Sequence, residues 1–267
     1  MTDEDYLNVK RDIIKRITPD RVERLPNSGF GAYIDAAEAL YLRCLEDKTE
    51  LEEFGLDWDI VEEIPARVGA LRSCQVLWLK AGRDNDEAHN RLNRAFRQAH
   101  RLKKDLVCQF RSAYREDKVL SGELKKIFDK RSINKVTNGE LGKLVVFGVV
   151  NPEPLVKTGF DMSLLDRGSR LTAKIPALLD TAAAKRLKYM EISNLRDQAY
   201  TYLKEAMDIV LEFGQTAFRD NEKRLHGYTR KCATRKYSRR SPYREPTPEA
   251  AAVAITANER ARAAGQK

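Results

Sequence analysis

One stretch of the sequence carries residue types that could bind anions. From Lys223 to Arg244 there are nine Lys or Arg residues and no Asp or Glu. The chain has 49 basic and 40 acidic residues, a formal net charge of +9, so this stretch alone accounts for the excess and leaves a neutral remainder. Guanidinium and ammonium groups pair with phosphates and carboxylates. The stretch therefore predicts contact with a polyanion or with an acidic protein surface.

Tyrosines are interspersed with these cations, at Tyr228, Tyr237 and Tyr243. Aromatic rings stack on unpaired bases while Arg and Lys neutralise phosphates, so the composition is also typical of binding to RNA or single-stranded DNA. The alternative is a tail that pairs with acidic patches of its own body or of a subunit partner. The candidate binding residues are Arg230, Lys231, Arg235, Lys236, Tyr237, Arg239, Arg240, Tyr243 and Arg244.

Composition also predicts how the chain is divided. Residues 228–246 contain almost no aliphatic side chain and two prolines, so they cannot form a core of their own. We expect a helical body over residues 1–226, with a sub-boundary within 119–160, where glycines and prolines separate short pieces. Residues 227–267 are expected to be a basic, partly disordered tail with a short Ala-rich helix. The length of 267 residues allows one large domain or two small ones.

Apolar residues at intervals of three and four predict helices in the N-terminal half. Thr2 and Asp5 form a capping-box pattern, and this first helix is expected to end at Thr18. A second helix is predicted over residues 33–51 and a third over 65–82. A fourth, with a second capping-box pattern at Asp84, carries an apolar face from Leu92 to Ala113.

The C-terminal half predicts one very long helix. Residues 176–226 contain no proline after Pro176 and one glycine, Gly214, and their apolar residues repeat in heptads. We expect a break or restart at Pro176 and a last turn containing Lys223 and Arg224, whose charge suits a helix C-terminus. Residues 144–150 fit a helix or a strand; we predict a helix because no second strand candidate is present.

These elements predict an all-α fold, an elongated antiparallel helical bundle in which the long C-terminal helix packs against the helix of residues 92–113. No basic-then-apolar secretory pattern opens the sequence, and the longest apolar run has seven residues. Four cysteines are scattered without a C-x-x-C pair, which disfavours a disulfide scaffold or a zinc site. We therefore expect a soluble cytoplasmic protein.

Patterns that would indicate an enzyme are weak. Residues 132–135 match S-x-x-K and residues 157–159 match K-T-G, but the intervening S-D-N-like element of penicillin-binding serine enzymes is missing. His89 and His100 are eleven residues apart, about 16 Å along a helix, too far to share a metal. We expect no cofactor, no metal and no catalytic activity.

The function expected from the sequence is that of a helical scaffold or adaptor whose basic tail contacts an acidic partner surface or polyanion. The long apolar helix faces favour a protein partner or self-association. The alternative is an accessory protein that binds RNA or single-stranded nucleic acid through the Arg, Lys and Tyr residues of the tail.

Overall fold

The computed structural model of the chain describes residues 1–25, 29–128 and 138–229. Every regular element in these ranges is helical, which confirms the all-α prediction. The α-helices are α1 (Asp3–Lys15), α2 (Phe30–Glu46), α3 (Lys48–Glu53), α4 (Trp58–Glu62), α5 (Ile64–Ala113), α6 (Lys118–Phe128), α7 (Asn138–Val150), α8 (Pro152–Lys157), α9 (Ser163–Ala217) and α10 (Glu222–Leu225), and a 3-10 turn follows at His226–Tyr228.

The chain divides into two compact units. Unit 1 contains residues 1–72 and the chain from Asp197 onward, and unit 2 contains residues 73–196. Helices α5 and α9 each contribute one segment to unit 1 and another segment to unit 2. The predicted division between a body ending at 226 and a tail stays a prediction, because only residues 227–229 of that tail are described.

Unit 1 begins with the predicted capping box. The Thr2 hydroxyl accepts a hydrogen bond from the Asp5 amide, and the Asp5 carboxylate accepts one from the Thr2 amide at 2.8 Å. Helix α1 then buries Leu7 and Ile14 completely. It ends at Lys15, three residues before the predicted Thr18.

A polar cluster joins three helices of unit 1. The Glu63 carboxylate accepts hydrogen bonds from Lys10 of α1 at 2.7 Å, from Arg67 of α5 at 2.7 Å and from the Tyr202 hydroxyl of α9 at 3.0 Å. The Arg67 guanidinium also lies 3.8 Å from the Tyr202 ring centroid. Burial raises the pKa of Glu63, but the three donors outweigh it and lower the pKa to about 2.

Unit 2 is built around one apolar core. Leu102, Leu106 and Phe110 of α5 pack with Leu165 and other residues of α9, which confirms the predicted packing against residues 92–113. Helix α7 covers this core, so the prediction of helix for residues 144–150 is confirmed. Gly148 of α7 allows a close approach, because a Cβ there would lie 2.6 Å from Cζ of Phe110.

The predicted stop of a helix at Gly82 and restart at Asp84 is wrong. Helix α5 runs without interruption through both residues. Gly82 faces the ring of Tyr189 on α9, and the Asp84 carboxylate accepts a hydrogen bond from Lys185 of α9 at 2.8 Å instead of capping a helix. Contacts with α9 therefore outweigh the local helix-ending signals.

Both predicted ends of the long C-terminal helix are also wrong. Helix α9 continues through Pro176, whose ring is on the exposed side while Leu171 and Ile175 are buried in the core. Burial of that face offsets the hydrogen bond that proline cannot donate. At the other end α9 stops at Ala217, so Lys223 and Arg224 are not in its last turn but in the separate helix α10.

The predicted second helix is divided as well. Helix α2 ends at Glu46 and α3 begins at Lys48, with Asp47 between them at φ −103° and ψ 15°. Gly55 follows α3 with a φ of 89°, a left-handed conformation that glycine adopts without strain. None of the helices in the described ranges combines the length and the apolar content needed to cross a bilayer.

The Glu63 cluster predicts that the stability difference between wild type and Glu63→Gln depends on pH. Because the folded pKa is about 2 and the unfolded value is 4.5, the contribution of Glu63 is complete above pH 4.5 and is lost as the pH falls toward 2. Partial exposure of the side chain reduces the effect, so Glu63→Gln should lower the free energy of unfolding by about 1–2 kcal/mol at neutral pH. Urea unfolding of wild type and variant at several pH values measures it. The exposed neighbour gives the control: Glu62→Gln should change little, and a Glu63→Gln effect that stayed constant down to pH 2 would contradict the account.

The close approach at Gly148 predicts opposite effects of one substitution at two helical glycines. Gly148→Ala places its Cβ 2.6 Å from Phe110 and 2.9 Å from Leu165, so overpacking should destabilise unit 2 by about 1–3 kcal/mol. Gly122→Ala on α6 meets nothing within 4 Å and should stabilise the helix by up to about 1 kcal/mol. Urea unfolding followed by circular dichroism distinguishes the two; equal shifts would refute the packing argument.

Candidate functional site at the start of the basic segment

The basic segment, residues 230–244, begins one residue after the described chain ends at Thr229. All the predicted binding residues lie outside the described ranges, namely Arg230, Lys231, Arg235, Lys236, Tyr237, Arg239, Arg240, Tyr243 and Arg244. The residues immediately before them are described. They show how unit 1 holds the chain at the point where the basic segment starts.

Arg224 is the first cation of the basic stretch whose partners are seen. Its Nε donates to Oδ1 of Asp47 at 3.1 Å, a second guanidinium nitrogen also pairs with that oxygen, and Nη1 donates to Oε1 of Glu50 at 2.6 Å. The guanidinium carbon lies 4.2 Å from the ring centroid of Phe218. The hydrogen bond from Arg224 lowers the pKa of Glu50. Arg224 is therefore neutralised within unit 1 and is not a free ligand-binding cation.

Tyr228 holds the chain against unit 1 through a buried side chain. Its side chain is fully buried, and its hydroxyl donates to Oδ2 of Asp47 at 2.7 Å. Its ring stacks on Phe218 with centroids 5.3 Å apart, and its carbonyl oxygen accepts a hydrogen bond from Gln215 at 2.9 Å. Burial and the bond to Asp47 raise the pKa of Tyr228. The sequence pattern placed Tyr228 among the tyrosines that could stack on bases, but its buried ring is inaccessible to a ligand.

Two glycines make room for this anchor, which we define as Asp47, Arg224 and Tyr228. A Cβ at Gly214 would lie 2.1 Å from Cδ1 of Tyr228, so the ring lies directly against the α9 backbone. A Cβ at Gly227 would lie 2.0 Å from a guanidinium nitrogen of Arg43 on α2. Glycine is required at position 214, because any side chain there would displace the rigid ring of Tyr228. At position 227 a side chain would displace the flexible end of Arg43.

The carboxylate of Asp47 is held in place by the junction of two helices. Its residue is only 6% exposed, and its backbone amide donates to the Arg43 carbonyl while its carbonyl accepts from Leu51. A buried carboxylate is costly unless it is paired and hydrogen-bonded. The guanidinium of Arg224 and the hydroxyl of Tyr228 supply those partners from a part of the chain about 180 residues away.

The cysteines near and far from the anchor differ in accessibility. Cys44 and Cys74 are buried, whereas Cys108 is exposed. Burial raises the pKa of the Cys44 thiol to about 12, so it stays protonated and unreactive in the folded chain. Cys44 and Cys74 are therefore part of the packed interior, whereas the thiol of Cys108 is accessible to solvent.

The anchor lies in a strongly acidic part of the chain. Residues 46–63 contain nine acidic residues and a single base, Lys48. Over its described residues, unit 1 has 14 Lys and Arg against 23 Asp and Glu, a formal charge of −9. The described residues of unit 2 have 22 against 13, a formal charge of +9. The described residues are thus neutral in sum, but they form an acidic unit and a basic unit.

Of the two motifs considered for catalysis, the structure describes one. Ser132 to Lys135 lies outside the described residues. Thr158 of the K-T-G match ends α8, where its hydroxyl donates to the carbonyl oxygens of Pro154 and Leu155. Within the described ranges, no three His, Cys, Asp or Glu side chains are grouped so as to hold a metal ion.

Comparison of the chain with protein-family models, with curated proteins and with solved structures gives no match. The geometry described above is therefore the basis for assigning a function.

Sequence reasoning missed the anchor because its members are far apart in the chain. Arg224 had a sufficient local explanation as a cation near a helix C-terminus, and Asp47 lay inside a predicted helix. The available indication was Gly214, a lone glycine in the heptad pattern of a long helix. Such a glycine often marks a close packing contact, here with the ring of Tyr228.

Removal of one hydroxyl tests the anchor. Tyr228→Phe keeps the ring but leaves Oδ2 of Asp47 without its donor, so the free energy of unfolding should fall by about 1–3 kcal/mol. Trypsin should also cleave faster after Arg224, as followed by mass spectrometry. The matched control is Tyr237→Phe, the same chemical change within the basic segment. Equal behaviour of the two variants would show that the hydroxyl does not hold the chain.

Proposed function

We propose that this protein is a non-enzymatic adaptor in which unit 1 holds the start of the basic segment so that the segment contacts an acidic protein surface or a polyanion. The observation that carries the proposal is the anchor: Tyr228 is buried and bonded to Asp47 two residues before the segment begins. A ligand bound by the segment is thereby linked to the helical body at a fixed position.

The charge of the segment supports this role. Its seven Lys and Arg residues have no acidic neighbour within residues 230–244, and the Arg224 charge is already matched by Asp47 and Glu50. A fixed origin reduces the volume that the segment samples, which raises its effective concentration near a partner that also contacts the body.

An exposed apolar face supports contact with a protein partner. Val146, Val149 and Val150 of α7 are 61%, 58% and 68% exposed, and Val156 of α8 is 64% exposed. The opposite side of α7 is buried in the core of unit 2. A helix that is apolar all round is usually covered on both sides, so this valine face favours a protein partner or self-association.

Nucleic-acid binding is the second candidate function. Tyr237 and Tyr243 lie between the cations of the segment, an arrangement that suits stacking on unpaired bases. The positive charge of unit 2 supports the same alternative. Fluorescence anisotropy with polyglutamate and with an oligothymidylate separates an acidic protein-like ligand from a nucleic acid.

Neutralising the basic segment tests both candidate functions, contact with an acidic protein surface and nucleic-acid binding. We expect replacement of its seven Lys and Arg residues by Gln to abolish binding of whichever probe the wild type binds. For the oligonucleotide, the slope of log affinity against log salt should fall in magnitude by about 5. The control neutralises seven exposed cations outside the segment, Lys15, Arg16, Arg24, Arg115, Lys118, Lys157 and Arg219. A segment variant that bound both probes as well as this control would refute the proposed function.

A further inference from the structure

The outward side of α5 in unit 2 carries a row of cations. Arg94, Arg97, Arg101 and Lys104 are exposed, and their spacing of three and four residues places them on one side of the helix. The opposite side is buried in the core through Ala95, Ala99, Leu102 and Leu106. The four cations, which we call the basic ridge, extend over about 15 Å of helix.

No acidic side chain among the described residues pairs with a cation of the basic ridge. None of the four forms an ion pair with a described residue. Two other cations of the same helix segment do: Arg91 pairs with Glu87, and Lys103 pairs with Glu140 at 2.5 Å. The cations of the ridge therefore differ from these two neighbouring cations of α5, whose charges are matched by acids.

The chemistry around the ridge identifies the kind of partner. No large apolar side chain is exposed between Leu79 and Val119, all of which the structure describes. Protein interfaces contain an apolar centre, whereas binding to a phosphate backbone needs only cations and hydrogen-bond donors. Exposed Asn90 and Asn93 add donors on the same side. The aromatic residues of this segment, Phe96, Phe110 and Tyr114, are partly or fully buried, so none is available to stack on a base.

The net charge of the described part of unit 2 favours the same ligand. The described part of unit 2 has a formal charge of +9, against −9 for unit 1. A polyanion is attracted to a surface with a net positive potential and repelled by one with a negative potential. Arg is also suited to phosphate, because its guanidinium donates two parallel hydrogen bonds.

We propose that the basic ridge binds the phosphate backbone of a nucleic acid, through charge and without reading the base sequence. The inference rests on the nucleic-acid version of the proposed function, but it places a contact on unit 2 rather than on the basic segment. The ridge and the segment can therefore be tested separately.

The test measures binding of the full chain to two duplexes of about 20 base pairs with unrelated sequences, by fluorescence anisotropy between about 50 and 200 mM salt. The ridge variant is R94Q/R97Q/R101Q/K104Q. Its control, K15Q/R16Q/R24Q/R219Q, removes the same charge from exposed positions of unit 1. A third variant, R94K/R97K/R101K, keeps the ridge charge.

The ridge variant should lose at least tenfold in affinity for both duplexes, and its salt slope should fall in magnitude by about 3 to 4. The control should lose much less, and the lysine variant should keep most of the binding. Circular dichroism spectra equal to wild type exclude misfolding as the cause.

Three results would overturn the proposal that the ridge binds a phosphate backbone. They are the absence of duplex binding by wild type, an equal loss of affinity in the ridge variant and the control, and a tenfold preference for one duplex. The seven-residue segment variant, measured in parallel, distinguishes the two proposals. Loss of duplex binding in the segment variant alone refutes the ridge and leaves the proposed function intact. Loss in the ridge variant alone supports the ridge and removes the segment from nucleic-acid binding.

Discussion

The pairing of α5 with α9 is the constraint on which both units depend. These helices have 50 and 55 residues, and neither could be stable over that length without burial of an apolar face. In unit 2 that burial comes from the core around Leu106, Phe110 and Leu165. In unit 1 the polar cluster of Glu63, Arg67 and Tyr202 adds directional hydrogen bonds between the same two helices. The shorter helices are attached to this pair, which explains why local stop signals within it are ineffective.

Helix periodicity was sufficient to predict the fold class but not the helix ends. The spacing of Leu92, Leu102 and Phe110 identifies a buried face from local sequence alone. Gly82 and Pro176 are also local signals, yet their effect depends on what packs beside them: Gly82 receives the ring of Tyr189, and Pro176 has its ring on the exposed side. A sequence pattern gives the intrinsic cost of glycine or proline to helix stability. The contact that offsets this cost comes from a distant part of the chain.

The candidate site was predictable only where its functional residues are neighbours in the sequence. Seven cations in fifteen residues are visible in the sequence, and so is the inference that they bind anions. The anchor was not visible, because Asp47 and Tyr228 are 181 residues apart and each has an ordinary local environment. The separation of charge between the units was hidden for a similar reason: residues 1–72 and those after 197 form one unit only in the folded chain.

Cys44, which is buried next to Tyr228, gives the molecule a built-in chemical reporter. In the folded chain the thiol is buried and burial raises its pKa to about 12, so alkylating reagents react with it only when unit 1 opens around Cys44. Exposed Cys108 reacts without any such opening and supplies an internal reference. The ratio of the two alkylation rates, measured for each peptide, reports the fraction of time that unit 1 is open around Cys44, and it does so without an introduced label.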